Sequence, residues 1–250
     1  MVKSVGLSDE ELERYRRQLL FLGVEAQLRL KRAKVLVVGV GGLGSAVLYY
    51  LVAAGVGELH IVDSDKLELN NLNRQVLYTT DDIGKYKVDV AAERLRRLNP
   101  NVKIITYRRR FDKDLAEEVV PKVDLAIDAL DNWETRFLLN KYCVKYLKPL
   151  IHAGVREVYG QLLVIMPGKG PCLRCLFPHE PKREREIPIL GVTPGILGTL
   201  EALEAIKIIT GYGEPTVGKL IIVNGKKGEF EVINVRRNPE CPVCGHLKVK

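Results

Sequence analysis

Lys34–Val35–Leu36–Val37–Val38 runs without interruption into Gly39–Val40–Gly41–Gly42–Leu43–Gly44. The apolar, β-branched run predicts a strand buried on both faces, which is a strand with parallel neighbours. The glycines that follow, at G-x-G-x-x-G spacing, open a predicted helix over 45–54, and residues 58–63 read as a second strand. This β-α-β unit constrains the fold more than any other feature. Glycines at positions 39, 41 and 44 meet three demands that exclude a Cβ: a tight turn, close approach of an anion, and helix–strand contact. The free N–H groups of the helix that begins there attract phosphate. Asp63 closes the second strand, where a carboxylate can hold ribose hydroxyls. Taken alone, the glycines could serve only a turn and Asp63 only a loop cap. In this context they predict a nucleotide site.

The alternation continues with a helix over 85–98 stopped by Asn99–Pro100, a strand over 103–107, a helix over 114–120, a strand over 125–129, a helix over 134–147 and a strand over 150–152. Such repetition predicts an α/β, Rossmann-like doubly wound sheet with helices on both faces. After His152 the pattern changes: a strand over 160–166, a charged loop over 179–188, a helix over 195–209, and a hairpin joining 220–223 to 229–235 through Asn224–Gly225 and Lys226–Lys227–Gly228. The sheet is therefore expected to be mostly parallel with antiparallel C-terminal strands. Upstream, Ser8 and Glu11 form a capping-box pattern. Leu12, Tyr15, Leu19 and Leu22 share a helical face, Arg14 and Arg17 share another, Gly23 ends that helix, and a short second one covers 25–31. The expected organisation is one domain over 1–250, comprising a helical arm (1–32), a nucleotide-binding half (33–152) and a second half (153–250).

The choice of nucleotide rests on charge. Lys and Arg total 39 against 31 Asp and Glu, a net +8 that suits nucleic acid, an acidic protein or a phosphate-rich molecule. With 28% charged residues and only two Met, part of the excess also fits the ion-pair surface of a heat-adapted protein. The polar stretch from Asp63 to Gln75 carries Arg74, and Lys85 and Lys87 follow closely. Such cations neutralise a triphosphate better than they serve a nicotinamide dinucleotide. No acid/base pair for hydride transfer stands out, which counts against an NAD-dependent oxidoreductase. Arg108–Arg109–Arg110 hints at nucleic acid, but helix-turn-helix, stacking-aromatic and finger patterns are missing. Apolar runs such as 35–38 and 161–166 fall far short of the ~20 residues that span a bilayer, and Met1–Ser4 opens no signal peptide. A soluble, cytoplasmic protein is expected.

Cys172-x-x-Cys175 and Cys241-x-x-Cys244, bracketed by Pro171, Pro239, Pro242 and Gly245, are two soft thiolate pairs. Four thiolates suit a closed tetrahedral Zn²⁺ site, structural rather than catalytic, pinning the C-terminal tail near Met166. A cytoplasmic setting disfavours disulfides, and His246 is only a spare ligand. Cys143, amid helical spacing, reads as a buried free thiol.

Across nearly its whole length the chain resembles the ThiF/MoeB/HesA family of ubiquitin-activating-enzyme-like adenylyltransferases, most closely in its MoeB-type pattern. The residues that carry the resemblance are Arg14–Tyr15–Arg16–Arg17–Gln18, the glycine loop, Asp63–Ser64–Asp65, Asn71–Leu72–Asn73–Arg74–Gln75, Asp128–Ala129–Leu130–Asp131–Asn132 and the two C-x-x-C pairs. The resemblance implies ATP-dependent adenylation of the C-terminal Gly-Gly carboxylate of a small ubiquitin-like sulfur carrier, with release of pyrophosphate. The pathways implied are molybdenum cofactor (molybdopterin) biosynthesis, thiamin biosynthesis or tRNA thiolation. A homodimer, a sulfurtransferase partner, ATP, Mg²⁺ and structural Zn²⁺ are implied with it. By resemblance, Gly39, Gly41, Gly42, Gly44, Asp63, Asn70, Asn71, Leu72, Asn73, Arg74, Lys87, Asp131 and Asn132 line the nucleotide. Asp63 would hold the ribose, Asn71 and Arg74 the phosphates, and Lys87 the leaving group, while Arg17 reaches the other subunit's site. Asp131 is the Mg²⁺ candidate, since that ion usually takes one or two carboxylates and keeps several waters; with Glu134 it could also cap the following helix. The loop over 181–188 contains no cysteine, which points to adenylation without a covalent carrier intermediate.

Overall fold

In the computed structural model, which describes residues 6–181 and 186–248, the chain enters through helices α1 (Asp9–Arg14) and α2 (Arg16–Arg32). Residues 182–185 of the charged loop lie outside the described residues. The capping box is formed: the Glu11 N–H donates to Ser8 Oγ and the Ser8 N–H to Glu11 Oε2. Gly23, at φ 77°, kinks α2 where the sequence suggests a break.

The remaining elements are β1 (Lys34–Val38), α3 (Gly42–Ala54), β2 (Glu58–Val62), α4 (Lys87–Leu98), β3 (Lys103–Tyr107), α5 (Lys113–Val119), β4 (Leu125–Asp128) and α6 (Trp133–Lys145), then β5 (Leu150–Arg156), β6 (Tyr159–Ile165), α7 (Leu173–Leu176), α8 (Val192–Thr210), β7 (Lys219–Asn224) and β8 (Glu229–Asn234). One eight-stranded sheet has the order β3-β2-β1-β4-β5-β6-β7-β8. The first five strands in that order are parallel, and β5 to β8 pair antiparallel. One face of the sheet packs against a core that includes Leu43, Val47 and Leu51 of α3, Val88 and Leu95 of α4 and Leu197 of α8. The other packs against Leu115 of α5 and Phe137, Leu139 and Cys143 of α6. The Rossmann-like reading with antiparallel C-terminal strands is therefore correct. No described helix is long and apolar enough to cross a membrane.

Two boundaries differ from expectation. Strand β5 continues past His152 to Arg156 because residues 153–156 pair with β6, turning back through Glu157 at φ 53°. Polarity marks no edge there, since this end projects beyond the parallel strands. Helix α8 starts at Val192 rather than 195, because Pro194 lies in its first turn, where no intrahelical N–H is needed.

Glu201 of α8 is wholly buried, and neither carboxylate oxygen has a hydrogen-bond partner. Burial and, next, Asp128 hold its pKa well above the ordinary 4.5; Arg136 offsets only part of this. The unfolded chain releases this proton at lower pH than the fold does, so stability falls as pH rises above the ordinary value, by about 1.4 kcal/mol per pH unit until the raised pKa is reached. The isosteric Glu201→Gln should remove that slope. Urea unfolding over a pH series that starts near the ordinary glutamate value is expected to find the variant gaining on the native chain as pH rises; parallel curves throughout would contradict the raised pKa of Glu201.

Candidate active site

The chain builds β1, β2 and β3 outward in one direction and then crosses back to place β4 on the other side of β1. Open α/β sheets bind ligands outside the carboxyl ends of their strands at such a switch point. Gly39, at φ 96°, leaves β1 so close to the β4 end that a Cβ would lie 2.4 Å from the Ala129 carbonyl oxygen. At Gly44 a Cβ would lie 2.2 Å from the Gly39 carbonyl oxygen, so any side chain there would push α3 off the loop. Gly41 and Gly42 are partly open to solvent. The loop is braced from outside: Tyr78 donates its hydroxyl to the Val40 carbonyl at 2.8 Å, and Pro194 of α8 rests on Gly42. Gln75, buried beside Gly41, keeps its Oε1 unpartnered. The braces Tyr78 and Pro194 had no motif to mark them in the sequence.

Asp63 follows β2 and accepts from the Val40 N–H (2.9 Å) and the Asp65 N–H (2.8 Å), which joins it to the glycine loop. Burial raises its pKa, and Lys87 and these two amides counteract the rise. Lys87 is 6% exposed and places Nζ 3.1 Å from Asp65 Oδ2. Arg74 is held by the Asn70 carbonyl (2.8 Å) and Asn73 Oδ1 (3.1 Å). The segment over 70–74 is itself a built turn. Asn71 is buried, accepting from the Glu68 N–H at 3.1 Å and donating to Asn70 Oδ1 at 2.7 Å, whereas Asn70 and Asn73 are exposed. Leu72 packs toward the core.

Across β1, the end of β4 carries Asp131 and Asn132. Asn132 is the N-cap of α6, accepting from the Thr135 N–H at 3.0 Å. The alternative of Asp131 as the cap of that helix is not realised: Asp131 stays exposed, with Asn132 Nδ2 3.5 Å away. Below it, Asp128, Arg136 and His152 form a buried group in which burial lowers the His152 pKa, opposed by Asp128.

Arg17 lies elsewhere. Its neighbour Gln18 donates to the Ala54 carbonyl at the far end of α3 from the glycine loop. That helix has 13 residues, about 20 Å, so Arg17 cannot reach the pocket of its own chain. Arg17 is exposed and has no ion pair among the described residues, whereas Arg14 is tied to the Leu98 carbonyl and Glu10.

The sulfur atoms of Cys172, Cys175, Cys241 and Cys244 lie within 4.8 Å of one another, with close pairs at 3.4, 3.7 and 4.0 Å. A zinc tetrahedron with Zn–S of about 2.3 Å has S···S edges of about 3.8 Å, so the cage fits that ion. All five cysteines are free. Hydrogen bonding from Cys172 first, and further from the Asn238 amide, lowers the Cys175 pKa to about 4. His246 is exposed and stands outside the cluster, and Cys143 is fully buried with its thiol raised by desolvation.

A profile of the ThiF family matches residues 15–243. The chain belongs to the ThiF family. Among relatives of this ThiF-family chain, the sulfur carrier protein adenylyltransferase of Thermus thermophilus is 46% identical over 248 residues, covering 94% of this chain and 92% of the relative. The SAMP-activating enzyme E1 of Haloferax volcanii is 41% identical, covering 97% and 92%. The adenylyltransferase and sulfurtransferase MOCS3 of Mus musculus is 44% identical, and here the match spans 96% of this chain but 54% of the relative. The crystal structure of E. coli MccB with ATP superposes with a TM-score of 0.84 at 28% identity, over 93% of this chain and 75% of that one.

Proposed function

We propose that this ThiF-family enzyme transfers AMP from ATP to the C-terminal Gly-Gly carboxylate of a ubiquitin-like sulfur carrier, releasing pyrophosphate. The observation that carries the reading is the convergence at one switch point of the braced glycine loop, Asp63 and the cations Arg74 and Lys87 on the β2 side, with an exposed Asp131 on the β4 side. A carboxylate oxygen of the carrier attacks the α-phosphorus, and the bond from that phosphorus to the bridging oxygen breaks. No proton moves, so the site needs alignment and charge neutralisation rather than a base.

In this reading Gly41 and Gly42 admit the phosphates, Asp63 accepts from the ribose, Asn71 and Arg74 contact the phosphate chain, and Asn70 and Asn73 line the nucleotide. Lys87 neutralises the departing pyrophosphate. Asp131 is the protein ligand for Mg²⁺, which when bound draws charge from the phosphate oxygens. Arg17 acts in the partner's site, which makes the enzyme a homodimer. The four cysteines hold structural zinc, and thiols kept free suit the reducing cytoplasm. Residues 33–152 form the nucleotide half and 153–250 the carrier and zinc half. Without a cysteine at 181–188, adenylation proceeds with no thioester, and the activated carrier passes to a sulfurtransferase in a molybdopterin, thiamin or tRNA thiolation pathway.

ATP–pyrophosphate exchange tests this directly. Exchange is expected only when a Gly-Gly-ending carrier is added, and not with a carrier lacking its last glycine. Calorimetry should find ATP binding and no NAD binding. Exchange absent with every such carrier, or affinity for a pyridine dinucleotide alone, would remove the reading.

A further inference from the structure

Asp128 and His152 face each other across the β4–β5 pair, both without solvent exposure. His152 Nδ1 lies 2.6 Å from Asp128 Oδ2. A carboxylate accepts only, so Nδ1 carries the proton. On the ring's other side, Gln161 Nε2 of β6 approaches His152 Nε2 at 3.3 Å, an amide donor facing a bare ring nitrogen. The imidazole is therefore neutral, with its single N–H committed to Asp128.

Asp128 passes the constraint onward. Its Oδ1 accepts from the Leu130 N–H at 3.1 Å and lies 3.8 Å from Arg136 Nε. Arg136 Nη2 in turn donates to the Leu130 carbonyl. The N–H and the C=O of Leu130 are thus both tied to one buried network. The residue before it, Ala129, donates to the Val38 carbonyl and abuts Gly39 of the nucleotide loop. The residue after it is Asp131, whose own side chain has only the Asn132 amide near it. The position of the Asp131 carboxylate is inherited from the turn beneath.

We propose that His152 is a positioning residue for adenylation: by fixing Asp128 it locks the Leu130 turn and so aims Asp131 at the metal that accompanies ATP. The proposal rests on the reading of Asp131 given above. Stability alone is a weak reason for the network, because a buried ionic group costs desolvation that an apolar pair between parallel strands would avoid. The other titratable groups near it are neutral: Cys143 of α6, on the same face of the sheet, and Glu201 of α8, on the opposite face, both have pKa values raised by burial. One anion and one cation remain, Asp128 and Arg136, with His152 as the directional donor.

The test uses the full zinc-containing chain saturated with ATP, titrated with Mn²⁺ while the free ion is followed by electron paramagnetic resonance. His152→Leu keeps bulk and removes the donor, whereas His152→Asn can donate from nearly the same point as Nδ1. Outer-shell partners of a metal ligand typically change affinity 10–100-fold, so His152→Leu is expected to weaken Mn²⁺ binding about tenfold. Metal-free ATP affinity should stay within about twofold, and His152→Asn should recover most of the Mn²⁺ affinity. Should the leucine variant not fold, His152→Gln, whose amide reaches the Nε2 rather than the Nδ1 position, is expected to show the same Mn²⁺ defect. A folded His152→Leu or His152→Gln that binds Mn²⁺ like the native chain, while Asp131→Ala is weakened, overturns the role of His152 and leaves Asp131 in place. Native affinity in Asp131→Ala removes both.

Discussion

Replacing Asp131 by alanine is expected to lower carrier-dependent ATP–pyrophosphate exchange at least about a hundredfold, the usual loss when one charge-stabilising group is removed. The fold should be undisturbed, with stability within about 0.5 kcal/mol of the native chain, because an exposed residue away from caps and core carries little. Asn132 makes this a clean experiment: it caps α6, so alanine at 131 leaves the helix terminus intact. Had Asp131 been the cap, the same substitution would have cost about 1 kcal/mol and confused activity with stability. Arg17→Ala should give a similar loss for a different reason, since α3 separates Arg17 from its own pocket. In a symmetric dimer with Arg17 acting in trans, the two inactive variants must complement each other. Co-expressed in equal amounts, half of the dimers are mixed and each has one complete site, so exchange should return to about a quarter of native activity. Arg14→Ala is the control, because Arg14 is bound to Leu98 and Glu10 of its own chain. No recovery on mixing would remove the trans role of Arg17, and native exchange in Asp131→Ala would remove the metal role of Asp131.

How far these residues can be read without coordinates depends on what fixes each one. The glycine loop is legible because three separate steric demands fall at fixed spacing, and two of them appear in the fold as the overlaps a Cβ would make at Gly39 and Gly44. The capping box at Ser8 and the turn at Asn99–Pro100 are legible because their chemistry is local. Arg17 cannot be separated from Arg14 by spacing, since the helix face is common and only the tertiary partners differ. Likewise Asp131 and Asn132 are both good caps, and backbone geometry chose the second. The Asp128–His152 pair is not legible for another reason: Asp128 ends β4 while His152 lies inside β5, and their meeting depends on the β4–β5 register. Tyr78 and Pro194, which brace the glycine loop, come from segments 38 or more residues away and carry no motif.

Serine at Cys241 or Cys244 is expected to abolish zinc binding and to cost about 3–5 kcal/mol, lowering the melting temperature by about 10 °C or more. Zinc-finger peptides owe about 10–16 kcal/mol to their metal, but there the entire fold depends on it. Here the sheet retains its own core, and the metal fastens only the tail to the turn between β6 and α7. The packing indicates what would loosen. Cys172, Leu173, Cys241 and Cys244 share a buried cluster with Phe137 and Tyr142 of α6. Arg237 binds three carbonyls of the second knuckle, those of Cys244, Gly245 and Leu247. Arg174 lies 3.7 Å over the Phe137 ring, and Phe177 meets Trp133 at 4.8 Å between centroids. Trp133 is the first residue of α6, two beyond Asp131, so release of the knuckle frees the helix start that borders the site. Exchange should therefore fall severalfold in the serine variants, well short of the loss in Asp131→Ala. Cys143→Ser leaves the sulfur cage complete and should retain one zinc per chain by native mass spectrometry. A serine variant at 241 or 244 that kept both its zinc and its melting temperature would rule out the four-thiolate site.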